Sequence, residues 1–164
     1  MKRNNKEGFI LLQDNKEKVG YWDLSFGEQF AGKEVVHLKT GDYTIKGMED
    51  IVCLERKKTT GEISLNLGIK WETFKAELER MQTYKYKYVI CEFTINDVLF
   101  FPANSGVPKF LWPKLRMSGK FMLSRINELS ETYGVEFIFA GSKQNAEAKA
   151  IEILTNVFLE EKTR

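Results

Sequence analysis

A mixed α/β sheet flanked by helices is the fold class this sequence predicts, on three observations. The first half consists of short apolar runs separated by glycine-containing or acidic turns. Near residue 70 the apolar period changes from alternation to spacings of three and four. From there helix, strand, helix, strand and helix follow one another, the order of a sheet with helices packed on it.

Taken in order, residues 8–13 (GFILLQ) read as a buried strand, with Asp14-Asn15-Lys16-Glu17 at its end. Residues 35–39 read as a second strand, broken at Gly41-Asp42. Residues 43–45 and 51–54 form a meander about the turn 46–50. Between residues 70 and 84, Trp71, Phe74, Leu78 and Met81 make the apolar stripe of an amphipathic helix, with Glu72, Lys75, Glu79 and Arg80 on its other faces. Such a stripe belongs to a core. Residues 88–93 (YVICEF), β-branched and aromatic, suit a central strand. Residues 118–133 predict a helix stopped by Gly134, residues 135–140 a strand, and residues 145–160 a closing helix. The stretch 96–117 holds all 3 prolines and no clear period. Excursions of that length in a compact domain are often functional.

The 164 residues fit one domain, 1–164, and 43% hydrophobic content is enough for a core. A net charge of +2 argues only weakly for a polyanionic partner, so local clusters matter more. Arg56, Lys57 and Lys58 form one, Lys85 and Lys87 another, and Lys109, Lys114, Arg116 and Lys120 a third. Each is either a solvated face or a phosphate contact. The 2 cysteines, Cys53 and Cys91, lie in apolar runs; they make no disulfide framework and read as reduced thiols of a cytoplasmic protein. No apolar stretch approaches the roughly 20 residues of a membrane span, and no signal core follows the N-terminus.

The chemistry concentrates after Gly41. Asp42 follows a strand at a glycine turn, and Glu55 and Lys57 stand at the end of the run 51–54. Alternation along a strand points Glu55 and Lys57 to one side and Arg56 to the other. If the two strand ends are neighbours, two acids and a lysine converge. Carboxylates about 4 Å apart repel by roughly 4 kcal/mol at an effective dielectric near 20, so the pair favours a bound cation. Carboxylates, a carbonyl and waters suit magnesium or manganese. Such an ion polarises a phosphate and lowers the pKa of bound water, while Lys57 orients that water or offsets phosphate charge.

The segments Leu38-Lys39-Thr40-Gly41-Asp42-Tyr43 and Val52-Cys53-Leu54-Glu55-Arg56-Lys57 closely resemble the GD…ERK signature of XPF-type structure-specific nucleases. The resemblance extends through Phe74 to Met81 and Tyr88 to Glu92, and to Tyr133-Gly134-Val135 with Phe139-Ala140-Gly141-Ser142. It implies a restriction-endonuclease-like fold of the PD-(D/E)XK group. It also implies an endonuclease acting on branched, flap or single-strand-containing DNA in repair, recombination or replication, with a nuclease lacking structural preference as an alternative. Asp42 and Glu55 would be metal ligands, Lys57 the catalytic lysine, and Arg56 a structural or phosphate-facing partner. Asp14-Asn15-Lys16-Glu17 is similar to the family's opening Asp-Thr-Arg-Glu, so Glu17 either adds an acid near the metal or is a turn acid.

Two departures stand out. The family's aspartate four residues beyond the lysine is here Gly61, with Glu62 beside it. Either Glu62 substitutes as a metal ligand or the fourth acid is missing, and the latter would suit a catalytically silent DNA-binding subunit. The resemblance stops short of the helix-hairpin-helix module and the helicase of longer relatives, so a stand-alone domain is the expectation and their substrate choice is not expected to carry over. A stand-alone domain of this kind is at home in a bacterium or a phage-infected cell. Relatives pair through this domain, which makes a homodimer through the last helix an expectation.

Lys58, Lys85, Lys87, Lys114 and Arg116 are the candidate DNA contacts. The aromatic, basic run from Phe100 to Arg116 is either such a contact or a dimer or lid surface. Tyr84, Tyr86 and Tyr88 fit strand entry better than base stacking. The single histidine, His37, reads as non-catalytic.

Overall fold

The computed structural model describes residues 7–18 and 22–164. Its strands are β1 (Phe9–Asp14), β2 (Phe30–Val36), β3 (Tyr43–Ile45), β4 (Val52–Lys57), β5 (Tyr86–Cys91) and β6 (Glu136–Phe139). The helices are α1 (Thr60–Leu67), α2 (Trp71–Met81), α3 (Ile95–Leu99), α4 (Gly119–Tyr133) and α5 (Lys143–Lys162). The strands form one sheet in the order β2-β1-β3-β4-β5-β6. β3 runs antiparallel to both neighbours, while the pairs β1/β2, β4/β5 and β5/β6 are parallel. The mixed α/β architecture is the one the pattern predicts.

Strand parity sorts the core into two layers. Val52 and Leu54 of β4 and Ile90 of β5 pack with Ala146, Ala150, Leu154 and Val157 of α5 on one face. Cys53, Val89 and Cys91 pack on the other with Ile63 of α1, Phe74, Leu78 and Met81 of α2, and Met122 and Ile126 of α4. Strands buried on both faces read as continuous apolar runs, as 52–54 and 89–91 do. Each fully buried Val, Leu, Ile, Phe or Met among them contributes on the order of 1.5–3 kcal/mol. α5 turns its apolar stripe inward, so that stripe is not free for a partner. Among the described residues no helix is long and apolar enough to cross a membrane.

Three differences from the sequence reading have physical causes. β2 runs 30–36 rather than 35–39, because it pairs with β1 from Phe9↔Phe30 to Asp14↔Val36 and the chain must then leave the sheet for the Gly41 turn. It is an edge strand, and Val35 is left exposed. Helix α1 is short and contains Gly61, Ser64 and Asn66, which hides its period. Helix α3 and a 3-10 helix, Lys109–Lys114, give order to a stretch that reads as irregular. Both missed α-helices start with a threonine whose hydroxyl accepts a backbone N–H three residues on: Glu62 N to Thr59, and Asp97 N to Thr94.

Candidate active site

Gly41 adopts φ +76°, and a Cβ there would stand 2.5 Å from the Cys53 sulfur. Only glycine lets the chain pass this close to β4 in that conformation. The next residue is thereby fixed on three sides. Asp42 N donates to the Leu54 carbonyl at 2.8 Å, and Asp14 N donates to the Asp42 carbonyl at 2.8 Å. Arg56 N donates to Asp42 Oδ2 at 2.8 Å, which seats the carboxylate beside Glu55.

β4 runs through Lys57 rather than stopping at residue 54, so the parity of its core carries into the site. Glu55 and Lys57 fall on the α2 face and Arg56 on the α5 face. Lys57 Nζ lies 3.4 Å from Glu55 Oε1 and 3.7 Å from Glu62 Oε1, with the Phe74 ring centroid at 5.1 Å.

Burial pushes the Asp42 carboxyl up to about 7, with Glu17 and Glu77 adding to the shift and the Arg56 N–H opposing it. Burial, Asp42 and Glu77 raise Glu55 well above the ordinary range, against Lys57. Burial alone would depress Lys57, but Glu55, Glu77, Glu62 and Asp42 outweigh it and hold the ammonium form. Acids that resist ionising because they are buried together, beside a cation that keeps its proton, mark a candidate functional site.

Glu77, on α2, is the site acid that the sequence reading missed. It hydrogen-bonds the Glu55 carboxyl and lines one cleft with Asp14, Asp42, Glu55 and Arg80. Its signal was positional: it borders the Phe74/Leu78/Met81 stripe, where a helix turns from core to surface. Glu62 stands instead against Lys57, with its Oε2 3.5 Å from the Lys58 N–H.

On the opposite face Arg56 is nearly enclosed. Its Nε donates to Glu17 Oε2 at 2.8 Å and its Nη1 to Glu92 Oε2 at 3.1 Å. Tyr43 donates its hydroxyl proton to the same Glu17 oxygen at 2.7 Å, and Trp22 Nε1 donates to Glu92 at 3.0 Å. Glu17 is therefore engaged beneath the sheet while still acting on Asp42 through its charge. This buried network braces the strand that presents Glu55 and Lys57.

The donor set suits a hard divalent ion: Asp42 and Glu55 are held close and poorly compensated, with Glu77 beside them. Among the described residues no three His, Cys, Asp or Glu side chains already form a cage, so water or substrate oxygens would complete the coordination. That is how magnesium is usually held.

Gly61 has a local explanation. Its N–H donates to the Ser105 carbonyl at 3.1 Å, and a Cβ there would lie 2.5 Å from that oxygen. The segment after α3 occupies the space an aspartate side chain would need.

Of the candidate DNA contacts, Lys58, Lys114 and Arg116 are exposed, and Lys114 lies beside the start of α1. Lys85 and Lys87 lie elsewhere. Lys87 pairs with Cys53 and Cys91 with Lys57, so Lys87 is roughly 13 Å along the strand from Lys57, and Lys85, just before β5 begins, is farther still. Lys85 binds Glu161 at 2.6 Å, and Lys87 Nζ donates to the Gln82 and Tyr84 carbonyls. Tyr86 donates to Glu161 at 3.0 Å, and Tyr88 packs half-buried on the core. His37 is exposed, 4.0 Å from Asp14.

The sheet order and the helix layers form a restriction-endonuclease-like fold, shared with solved structures. Two solved structures carry the likeness. XPF from Aeropyrum pernix superposes with TM-score 0.61 at 18% identity over 90% of this chain and 60% of that one. XPF from the same organism in complex with DNA gives 0.62 at 16% identity over 93% and 66%. This chain thus spans 60–66% of the length of those proteins, and the likeness is one of fold. No family model and no curated protein matches the sequence.

Proposed function

We propose that this protein is a magnesium- or manganese-dependent DNA endonuclease that cuts branched or single-strand-containing DNA. The observation that carries the reading is that Asp42 and Glu55 line one cleft, with Lys57 on the same face of β4 as Glu55 and 3.4 Å from it. Asp42 and Glu55 would hold the ion, with Glu77 supporting Glu55. A divalent ion there supplies Lewis acidity at a phosphate oxygen and a more acidic water. Lys57, kept as ammonium, donates hydrogen bonds to the attacking water or the scissile phosphate and offsets charge that builds there. Arg56 acts through position: its side chain ties Glu17 to Glu92, while its N–H orients Asp42. DNA as the substrate is supported by the likeness to a protein solved with DNA. A homodimer belongs to the same reading; the inner stripe of α5 packs on the core, so a contact through this helix would use its outer face. Sedimentation velocity tests it.

The test is cleavage of labelled duplex, single-stranded, flap, splayed-arm and four-way DNA in EDTA, magnesium or manganese. Cutting should require metal and fall on the order of 10²–10³-fold in Lys57→Ala and Glu55→Gln, with melting temperatures maintained. Undiminished cutting by either variant would remove the proposed site. Tight DNA binding without cutting under any metal would select the catalytically silent reading.

A further inference from the structure

A pocket of 540 Å³ lies between the start of α1 and the segment after α3. Leu65, Val107, Pro108, Leu111 and Leu115 give it apolar walls, and among the described residues Lys114 is its one charged lining residue. Among the described residues no amide or carboxylate side chain lines it. Thr59, also in the lining, puts the pocket roughly 7 Å of extended chain from Lys57.

The walls are tied in place. Besides the Gly61 to Ser105 hydrogen bond, Trp112 Nε1 donates to the Val107 carbonyl at 2.9 Å and Val107 N donates to Ser105 Oγ at 3.1 Å. Its size is that of a preformed small-ligand site.

The segment that forms one wall is one-sided in charge. Residues 98–127 contain Lys109, Lys114, Arg116, Lys120 and Arg125 and no acid. Of these, Arg125 pairs with Glu128, while Lys109, Lys114, Arg116 and Lys120 are exposed and have no carboxylate partner among the described residues. Phe100 and Phe110 in the same segment are 71% and 78% exposed. An apolar slot within a cationic, aromatic surface fits an aromatic heterocycle joined to phosphates.

We propose that this pocket receives one unpaired nucleobase of the DNA strand entering the catalytic cleft, with Lys114 and its flanking cations on the adjoining phosphates. The proposal rests on the nuclease reading and narrows its substrate to DNA containing unpaired nucleotides. A stacked, paired base keeps its faces covered and cannot enter. With no amide or carboxylate to read a base edge, the pocket tolerates any base.

The test measures binding by wild-type protein in EDTA to a splayed-arm DNA and to the fully paired duplex of the same sequence. 2-Aminopurine is placed at single unpaired positions in turn. One position should brighten on binding as its base leaves the stack. Leu65→Trp, which fills the pocket from a part-exposed site, should lower splayed-arm affinity about tenfold and abolish that signal. Duplex affinity and melting temperature should hold. Leu111→Ala, a second variant, should act in the same direction. Equal losses on both DNAs, or an unchanged aminopurine signal in Leu65→Trp, would overturn the proposal. So would concentration-dependent self-association that Leu65→Trp abolishes, because the pocket would then be a contact between copies. Lys57-dependent cutting untouched by Leu65→Trp would sink the pocket and leave the nuclease. Pocket-dependent discrimination without cutting in magnesium or manganese would do the reverse.

Discussion

Asp42 is held by one backbone N–H, Glu55 by a lysine and a neighbouring acid, and neither arrangement repays full ionisation in a mostly enclosed site. The consequence is a pH dependence whose sign can be worked out. An unfolded aspartate ionises near 3.8, while Asp42 in the folded protein does so at about 7. Between those values the native state keeps a proton that the unfolded chain has lost, so stability falls as pH rises. The contribution is complete below pH 3.8 and gone once pH passes about 7. In EDTA, the melting temperature of wild type relative to Asp42→Asn should decline across that window and level off above it. Manganese, taking the place of the proton, should reverse the decline; a constant offset from pH 4 to 8 would refute the assignment. Arg56 gives the opposite kind of prediction. Arg56→Ala leaves Glu17 and Glu92 buried without their cation and should cost about 3–5 kcal/mol in denaturant melts. Arg56→Lys should recover only part of this, because one ammonium cannot reproduce the fork that reaches both acids.

Helix α1 shows how an element makes room for its neighbour. Gly61 near its start admits the Ser105 carbonyl, and that contact seats the segment carrying Lys109, Lys114 and Arg116. Gly61→Asp should not restore a site acid. It should push the segment away, costing about 1–3 kcal/mol and speeding tryptic cleavage after Lys109, Lys114 and Arg116, as mass spectrometry of limited digests would map. Unaltered digestion would mean the segment is held by other contacts. The same region marks the limit of the sequence reading. Strands β1, β3, β4, β5 and β6 and helices α2, α4 and α5 were legible because their apolar periods are long or sharply bounded. So was the face shared by Glu55 and Lys57, which follows from strand parity alone. α1 and α3 were obscured by weak helix formers and short length, although their threonine caps stood in the sequence. Glu77 was beyond reach because its neighbour Glu55 is distant in the chain, and nothing local says which helix crosses β4.

Across the whole molecule, parallel pairing of β4 with β5 gives the sheet a chemical end and a structural end. Glu55, Lys57 and the basic segment after α3 gather at one; Lys85 and Lys87 lie at the other, beside Glu161 and the carbonyls that close α2. A net charge of +2 conceals this division, since acids elsewhere cancel the cations of the segment after α3. The salt dependence of DNA binding separates the two ends. Each phosphate neutralised contributes about −0.9 to the slope of log affinity against log salt on duplex and about −0.7 on single strands. Lys114→Gln and Arg116→Gln should each make the slope shallower by about that amount, with weakening largely independent of sequence. Lys85→Gln and Lys87→Gln should leave slope and affinity alone and, for Lys85, lower melting slightly through loss of an exposed pair. Equal slope changes at both ends would mean that DNA wraps the sheet edge rather than lying across the mouth of the cleft. The approach of the strand to Lys57 would then have to be redrawn.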